Sequence, residues 1–398
     1  MRELQAISEL AARAADPADP LYAALTDEIA ETSGLHATSL AHLVSMWAQA
    51  WQLPNLERAL RRGLGPHPAA FRPVGQVAIV APGNLCVATW QAIAESLLVG
   101  NRVKVRASAG DPRAVSNFRN ALRLVDAKLA DRVQEHSFAR GDRAAWLAWL
   151  RGADALLVYG GDAAIAAILQ LAAEAQYTGR LRLHGHFSSI GVLATDLVAE
   201  PAGLQAAVAG WAVDALLADG RGCMSLRALW LVGPIDDAVR QQIRHALAAE
   251  FARAAAALPA GQVDPRWEAE RQLLLQAHTF DAAVDGGRWV ERGADWAILG
   301  THGPIPVGTP TLGPGGRTLM VYEAAHAPDL LRQLTPWQRR LSTASMALDD
   351  DQHGVLKALE QLIVHRTCQP GAMQAPRADR APDGHPPFTG LVRLADRV

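Results

Sequence analysis

From Gly75 onward, short apolar runs alternate with helical stretches at close spacing, and this alternation limits the chain to few folds. The run VGQVAIVAPGN is rich in β-branched residues and ends in a Pro-Gly-Asn turn, which predicts a strand. Next come the helical ATWQAIAESLLVG and the strand-like NRVKVRASAGDP, and later the buried strand ADALLVYGG precedes the helical DAAIAAILQLAAEAQ. Strands joined by helices pair in parallel, so the sequence predicts an α/β fold with a parallel sheet.

The same alternation restarts further along and predicts a second α/β domain. It begins with the strand-like LRLHGHFSSIGVLATD and the helical AGLQAAVAGWAVDALLAD, and it continues after a glycine-rich break with the strand RALWLVG. Before Gly75, apolar residues at three- and four-residue spacing predict helices. We therefore expect a helical segment over 1–70, α/β domains over 71–190 and 191–365, and a Pro- and Gly-rich segment over 366–398 that closes on a strand.

Composition excludes several classes of function. The 398 residues carry a net charge of −2 and half of them are hydrophobic, so no basic face for nucleic acid or a membrane surface is expected. Three cysteines are too few for a disulfide framework, and none forms a Cys-x-x-Cys pair. The first twenty residues lack a continuous apolar run, and no stretch reaches the ~18–20 uninterrupted apolar residues of a spanning helix. The sequence predicts a cytoplasmic protein.

Cys223 is the sharpest candidate for chemistry. It follows Gly-Arg-Gly between a predicted helix and a predicted strand. Glycines let backbone N–H groups point at a ligand, where they can hold the oxyanion formed when a thiolate attacks a carbonyl. The alternative is a small buried hydrophobic residue, the commoner role of a single cysteine.

Polar groups also follow the first two strands of the first domain. Gly83-Asn84 forms the turn after the first strand, and Arg106 ends the second. Ligands of parallel sheets bind beyond the carboxyl ends of the strands, and an arginine there suits a ribose phosphate. The G-x-G-x-x-G fingerprint is absent, and Gly160-Gly161 is a partial version with Asp162 as the expected helix cap. Turn chemistry for Asn84 and simple surface exposure for Arg106 are the alternatives.

Two further groups of side chains have weaker functional interpretations. His184 and His186 are two residues apart on a predicted strand and would share a face, but no third ligand stands at a recognisable spacing, so no metal site is predicted. Trp146, Trp149 and Trp337 could line an apolar acyl pocket, with core packing as the alternative.

These segments, in this order, resemble the aldehyde-dehydrogenase superfamily, and more closely the acyl-CoA reductase family that includes the fatty-acid reductase of bacterial luminescence. The segment GQVAIVAPGNLCVATWQAIAESLLVGNRVKVRAS resembles the first unit of the cofactor domain, and DGRGCMSLRALWLVGPIDDAVRQQI resembles the nucleophile loop. The C-terminal GGRTLMVYE and QPGAMQAPRADRAPDGHPPFTGLVRLAD are similar to the reductases rather than to ordinary aldehyde dehydrogenases.

The resemblance implies an aldehyde-dehydrogenase-like fold, in which 71–190 binds a nicotinamide dinucleotide and 191–365 is catalytic. It makes Cys223 the nucleophile and Asn84 an oxyanion donor. The cofactor-binding positions that it implies are Ala81, Pro82, Gly83, Arg106, Ser108, Gly160 and Gly161. NADP is favoured over NAD because Arg106 is basic, and the C-terminal segment is expected to return to the cofactor side, which also serves oligomerisation.

One departure from the superfamily bears on the reaction. Hydrolytic aldehyde dehydrogenases carry a water-activating Glu in a Leu-Glu-Leu-Gly-Gly stretch, whereas this chain has Arg182 and His184 in the comparable LRLHGHFSS. Losing that base slows hydrolysis of an acyl-enzyme, as a thioester reductase requires. The sequence therefore predicts NAD(P)H-dependent reduction of an acyl-CoA or acyl-carrier-protein thioester to an aldehyde. A hydrolytic aldehyde dehydrogenase, an acyl-phosphate reductase and a catalytically silent scaffold are the alternatives.

Overall fold

The apolar runs of the sequence form strands that are covered on both faces, as runs without alternation do in parallel sheets. A computed structural model describes residues 2–262, 265–309, 311–348 and 353–395. The chain forms two units, one of Met1–Ser33, Leu40–His186 and Ala375–Val398, the other of Gly34–Ser39 and Phe187–Gln374.

The first unit contains a five-stranded parallel sheet of strand order β4-β3-β2-β5-β6. Its strands, with a short strand before them, are β1 (Phe71–Pro73), β2 (Gln76–Val80), β3 (Arg102–Arg106), β4 (Val133–His136), β5 (Ala155–Tyr159) and β6 (Arg180–His184). The expected helices before Gly75 are confirmed. The helices of this unit are α1 (Arg2–Ala14), α2 (Pro20–Ser33), most of α3 (Ala37–Ala50), α4 (Leu53–Leu64), α5 (Cys86–Leu98), α6 (Ala114–Val125), α7 (Ala127–Ala130), α8 (Arg143–Arg151) and α9 (Asp162–Glu174).

The second unit is built on a seven-stranded sheet of order β13-β12-β7-β8-β11-β10-β9, in which β9 is antiparallel to β10. Its strands are β7 (Ser188–Ala194), β8 (Leu226–Val232), β9 (Arg288–Arg292), β10 (Ala297–Thr301), β11 (Thr318–Ala324), β12 (Leu341–Ala347) and β13 (Arg366–Cys368). Its helices are α10 (Pro201–Leu216), α11 (Asp237–Ala257), α12 (Pro265–Asp285), α13 (Ala327–Leu334) and α14 (His353–Gln361).

Two expectations from the sequence need correction. The run LRLHGHFSSIGVLATD is not one strand, because it breaks after His184: β6 pairs with β5 in the first unit, whereas β7 pairs with β8 and β12 in the second. Residues 366–374 also stay with the second unit, since β13 pairs with β12. The chain re-enters the first unit at Ala375, and β14 (Val392–Leu394) pairs with β1 there.

Helix α10 explains the most apolar segment of the second unit. Residues 201–220 pass the length and hydropathy test for a membrane-spanning helix, and 56% of the tested apolar stretch is buried inside the protein. The helix contacts α11 and β8, and Trp211 and Leu216 are fully buried. Burial of its second half, where all residues of 211–216 except Val213 are buried, explains the apolar character of α10.

Candidate active site

In the first unit, the turns that follow β2 and β3 meet at the carboxyl end of the sheet. A Cβ placed on Gly83 would lie 2.4 Å from Ser108 Oγ, and one on Gly110 would lie 2.5 Å from Gly83 O. The ladder continues past the strands, because Ala81 N donates to Arg106 O at 3.1 Å. This edge therefore brings together four of the predicted cofactor-binding positions, Ala81, Pro82, Gly83 and Ser108.

Asn84 lies half-buried in the turn between β2 and α5, the strand-to-helix position predicted for it. Residues 81–85 connect the strand to a helix whose first residue, Cys86, is buried. The turn presents Asn84 at the edge of the sheet where a ligand of a parallel sheet is expected.

Arg106, the last residue of β3, is held by aromatic rings rather than fully exposed. Its guanidinium carbon lies 4.7 Å from the centroid of the Trp146 ring and 5.2 Å from that of Phe138, and its Nη2 donates to Phe138 O at 3.2 Å. Burial lowers the pKa of Arg106, and the nearby Arg140 charge lowers it further. Two guanidinium groups close together favour an anion between or beside them.

The Gly160-Gly161 turn follows β5 and opens α9. Gly160 N donates to His184 O at 3.2 Å, and a Cβ on Gly161 would meet no atom within 4 Å. Asp162 is the first helical residue rather than the cap, which is Gly161. A side-chain-free turn with open space in front of it is a place where a ligand can approach the backbone.

The tryptophans are not gathered into one apolar pocket. Trp146 and Trp149 belong to the core beside β2 and β5 in the first unit. Trp337 packs against the core of the second unit. Their role is packing, with Trp146 also stacking on Arg106.

His184 and His186 do not share a strand face, because β6 ends at His184. His184 pairs with Asp383 of the C-terminal segment instead. Among the described residues, no three His, Cys, Asp or Glu side chains are grouped as a metal site requires.

In the second unit, Cys223 lies in a turn between α10 and β8, as the sequence predicts. The three residues before Arg221 have left-handed backbone, with φ of 54° at Ala218, 54° at Asp219 and 63° at Gly220. Such conformations are costly outside glycine and need support from their surroundings.

That support comes from the buried Asp219 carboxylate. It accepts hydrogen bonds from Gly261 N at 3.3 Å and pairs with Arg221 at 3.4 Å and Arg317 at 3.6 Å. Burial raises the pKa of Asp219, while the Arg221 and Arg317 charges oppose that shift. The network fixes the backbone that leads into the cysteine.

Two serines then fix the turn itself. Ser189 Oγ donates to Cys223 O at 2.7 Å and accepts from Thr343 N at 3.1 Å. Ser225 Oγ accepts from Gly222 N at 3.1 Å and from Gln374 Nε2 at 2.7 Å. The backbone on each side of the thiol is therefore bonded to buried side chains of other elements.

The segment that carries Gln374 is held by hydrogen bonds to a residue of α10. Asp214, fully buried, accepts from Gly371 N at 2.7 Å and Met373 N at 3.1 Å. Gly210 allows the close approach, since a Cβ there would lie 2.5 Å from Pro370 C. Burial raises the pKa of Asp214 to about 7, and the bonds from the backbone N–H groups oppose the shift. We call residues 370–374, held by Asp214, the strap.

Arg227 is a functional candidate that the sequence analysis missed. Its guanidinium packs on the backbone of Gly315, where a Cβ would lie 1.4 Å from Nη1, and its Nη2 is 3.5 Å from Gly222 O. Burial lowers the pKa of Arg227 to about 10, and the charge of the Cys223 thiolate opposes the shift. Arg227 therefore places a positive charge near the Cys223 sulfur.

The three thiols differ sharply in surroundings. Cys223 is exposed, Cys86 is buried and Cys368 is half-buried. Burial raises the pKa of Cys86 well above its ordinary value and that of Cys368 to about 11. Of the three thiols, Cys223 is the accessible one with a neighbouring cation, which makes it the candidate for a reactive thiol.

Comparison with known proteins places the chain in a family. The sequence model of the acyl-CoA reductase (LuxC) family matches residues 57–394, so the chain belongs to that family. No curated protein sequence matches it. Family and fold together define an oxidoreductase of the aldehyde-dehydrogenase type, and the resemblance stated from the sequence is confirmed.

The fold is similar to those of solved aldehyde dehydrogenases. The succinic semialdehyde dehydrogenase from Streptococcus pyogenes, solved with NADP+, has a TM-score of 0.71 at 13% identity, with 100% of this chain and 90% of that chain covered. A putative methylmalonate-semialdehyde dehydrogenase from Sinorhizobium meliloti, complexed with NAD, has a TM-score of 0.68 at 14% identity, with 98% of this chain and 83% of that chain covered. An NAD-dependent benzaldehyde dehydrogenase from Corynebacterium glutamicum has a TM-score of 0.66 at 13% identity, with 98% of this chain and 85% of that chain covered. The predicted aldehyde-dehydrogenase-like fold is confirmed.

Proposed function

We propose that the protein reduces an acyl thioester to an aldehyde through an acyl group carried on Cys223, with NADPH as the reductant. One observation carries the proposal: the exposed Cys223 thiol lies beside Arg227 in a turn fixed from both sides. The acyl donor is a thioester of coenzyme A or of a carrier protein, as the family membership supports.

Each residue of the turn has a role in the acyl transfer. Arg227 favours the thiolate, which attacks the thioester carbonyl, since the thiolate is the nucleophilic form. The Cys223 backbone N–H and, by resemblance, the Asn84 amide hold the oxyanion. Ser189 and Ser225 keep the turn in place, so the thiol and its backbone donor need no rearrangement during attack.

The first unit has residues that fit a nicotinamide dinucleotide. The Gly160-Gly161 turn offers backbone with open space in front of Gly161, and Arg106 with Arg140 offers charge for a phosphate. Asp162 disfavours a phosphate at the start of α9, so Arg106 is the better phosphate partner. When bound, the cofactor supplies hydride to the acyl carbon. The paired guanidinium groups favour the extra phosphate of NADP over NAD.

The test is the mass of the intact protein after incubation with a series of acyl-CoAs without nicotinamide cofactor. An acyl adduct is expected on the parent and on Cys368→Ala, a matched control, but not on Cys223→Ala. Adding NADPH should discharge the adduct and release aldehyde.

Other outcomes would favour other functions. Adducts formed only from acylated carrier proteins would identify the carrier as the donor. Oxidation of aldehydes to free acids without added thiol would support a hydrolytic enzyme. If neither an adduct nor nucleotide binding is found, the catalytic proposal is wrong and a scaffold role is the better account.

A further inference from the structure

A pocket of about 450 Å³ lies between the sheet of the first unit and helix α8. Strands β2, β3 and β4 contribute Gln76, Lys104 and His136 to its lining, and α8 contributes Trp149. The volume falls within the ~300–1,000 Å³ that is usual for small-molecule sites. The acyl transfer proposed for Cys223 makes no use of this pocket.

Lys104 brings a buried positive charge to the pocket. The residue is 7% exposed, its Nζ lies 5.5 Å from the centroid of the Trp149 ring, and this nitrogen donates a hydrogen bond to Trp149 O. An ammonium group has three N–H donors, so two remain without a partner among the described residues. Gly152 leaves room beside the charge, since a Cβ there would lie 3.2 Å from Nζ.

Three uncharged side chains of the pocket carry buried nitrogen atoms that lack a hydrogen-bond partner in the part of the chain that the structure describes. These atoms are Gln76 Nε2, His136 Nε2 and Trp149 Nε1. The amide and indole nitrogens can only donate, and the imidazole nitrogen donates in one of its two tautomers. Buried polar groups without partners are uncommon, so several around one pocket point to a bound group that supplies acceptors.

The charges of the pocket favour an anion. No carboxylate stands among the described residues that line it. Burial lowers the pKa of Lys104, and the carboxylate of Asp154 opposes that shift. Burial also lowers the pKa of His136, and the Lys104 charge lowers it further, so the imidazole is neutral at pH 7. A bound anion would offset the cost of burying the single ammonium charge.

The pocket extends away from the turns expected to hold the cofactor. Gln76 is the first residue of β2, and Gly152 lies just before β5, so this part of the pocket is toward the amino end of the sheet. The turns at 81–84 and 160–161 follow β2 and β5 at the carboxyl end. The pocket is therefore a separate place for a ligand in the same unit.

We propose that this pocket binds a small monocarboxylate with an apolar body, a role that goes beyond the proposed function and does not depend on it. The carboxylate oxygens would accept hydrogen bonds from Lys104 Nζ and from the neutral donors around it. One negative charge matches one ammonium, whereas a phosphate would bring a second charge without a partner. The rings of Phe138 and Trp149 and the methyl groups of Ala145 and Ala148 suit the apolar body.

Isothermal titration calorimetry of the full chain with benzoate tests this proposal. Benzamide serves as an uncharged probe of the same shape, and inorganic phosphate as a different anion. Lys104→Met removes the charge, with the exposed Lys128→Met as the matched control. Ala148→Leu fills the pocket from an exposed position of α8 and leaves the charge in place, with the equally exposed Ala144→Leu, outside the lining, as its control.

Benzoate is expected to bind the parent and both controls with the same affinity. Lys104→Met should bind it at least tenfold more weakly, because a hydrogen bond to a charged group is lost. Ala148→Leu should show a loss of similar size, because the added side chain occupies the space of the ring. Benzamide and phosphate should each bind the parent at least tenfold more weakly than benzoate does.

Three results would overturn the proposal: no binding of benzoate to the parent, equal affinity in Lys104→Met, or tighter binding of phosphate than of benzoate. Displacement of benzoate by NADPH would also overturn it, because the pocket would then be part of the cofactor site. Thermal unfolding identifies a variant that misfolds, and Ala148→Leu still reports on the pocket if Lys104→Met does not fold. None of these measurements uses the acylation of Cys223, so a failure of the proposed function would be seen separately.

Discussion

The turn around Cys223 in the second unit and the turns after β2 and β3 in the first unit are held in different ways. Around Cys223, buried side chains bond to the backbone: Ser189 to Cys223 O, and Ser225 and Gln374 near Gly222 N. Between the β2 and β3 turns, backbone packs directly on backbone, with Gly83 against Gly110. The turn around Cys223 is fixed by polar side chains, whereas the turns after β2 and β3 approach each other closely because they lack side chains there.

The largest expected effect is on the pH dependence of stability, through Asp214, which holds the strap. Because Asp214 has its pKa raised from 3.8 to about 7, the folded state holds this proton more tightly than the unfolded chain does. Its contribution to stability is therefore full below pH 4 and is lost as pH rises to about 7, by up to about 4 kcal/mol at 1.36 kcal/mol per pH unit.

Urea unfolding of the parent and Asp214→Asn between pH 4 and pH 8 measures that loss as the difference between the two proteins. The exposed Asp237→Asn is the control and should follow the parent. Parallel curves for all three proteins would show that the Asp214 carboxyl is not perturbed.

A second comparison uses two glycines of α10. At Gly210 a Cβ would meet the backbone of Pro370, so Gly210→Ala should lower the free energy of unfolding by about 2 kcal/mol through overpacking. At Gly203 the nearest atom is the flexible end of Leu197, so Gly203→Ala should gain up to about 1 kcal/mol of helix propensity. The denaturant midpoints of the two variants measure these changes. Equal shifts of the two midpoints would mean that the strap does not pack closely against Gly210.

Arg227 offers a test of charge at the nucleophile turn. Arg227→Met should slow alkylation of Cys223 by iodoacetamide about tenfold at pH 7, because a smaller fraction of the thiol is ionised. The rate should recover at higher pH, where the thiol ionises without help. Arg244→Met, which removes an arginine stacked on Trp289, is the control. An unchanged pH profile would remove Arg227 from the site.

The smallest effect is expected in the first unit. Gly83→Ala would bring a Cβ within 2.4 Å of Ser108 Oγ, a side-chain atom that can shift, so we expect NADPH to bind about threefold more weakly, a change below 1 kcal/mol. Gly141→Ala, with no atom near the added Cβ, should bind as the parent does. Titration of cofactor fluorescence measures both, and identical affinities would separate this turn from cofactor binding.

Local patterns were enough to predict the strands around the candidate site. The run before Gly83 is apolar on both faces, and the Gly-Arg-Gly break before Cys223 favours a turn. The strand and the turn could therefore be predicted without knowing which strands pair with each other. The same patterns do not reveal which sheet a strand joins. That is why the run through His184 and Ser188 reads as one strand although its two halves pair in different units.

The residues that the sequence did not reveal act over long separations. Nothing in the local sequence distinguishes Arg227 from other arginines on strands. Its position depends on Gly315, whose missing side chain leaves room for the guanidinium. Asp214 and Met373 are 159 residues apart, and His184 and Asp383 are 199 apart. No spacing rule links such pairs, because the fold rather than the local chain brings them together.

The return of the chain to the first unit has a consequence for the order in which the protein can fold as it is synthesised. Strand β14 pairs with β1, Asn101 donates to Leu391 O at 2.8 Å, and His184 pairs with Asp383, so contacts of the first unit depend on residues that follow Gln374 in the chain. Nearly all of the second unit, 187–374, is made before them. The second unit can therefore complete its contacts during synthesis before strand β14 of the first unit has been made.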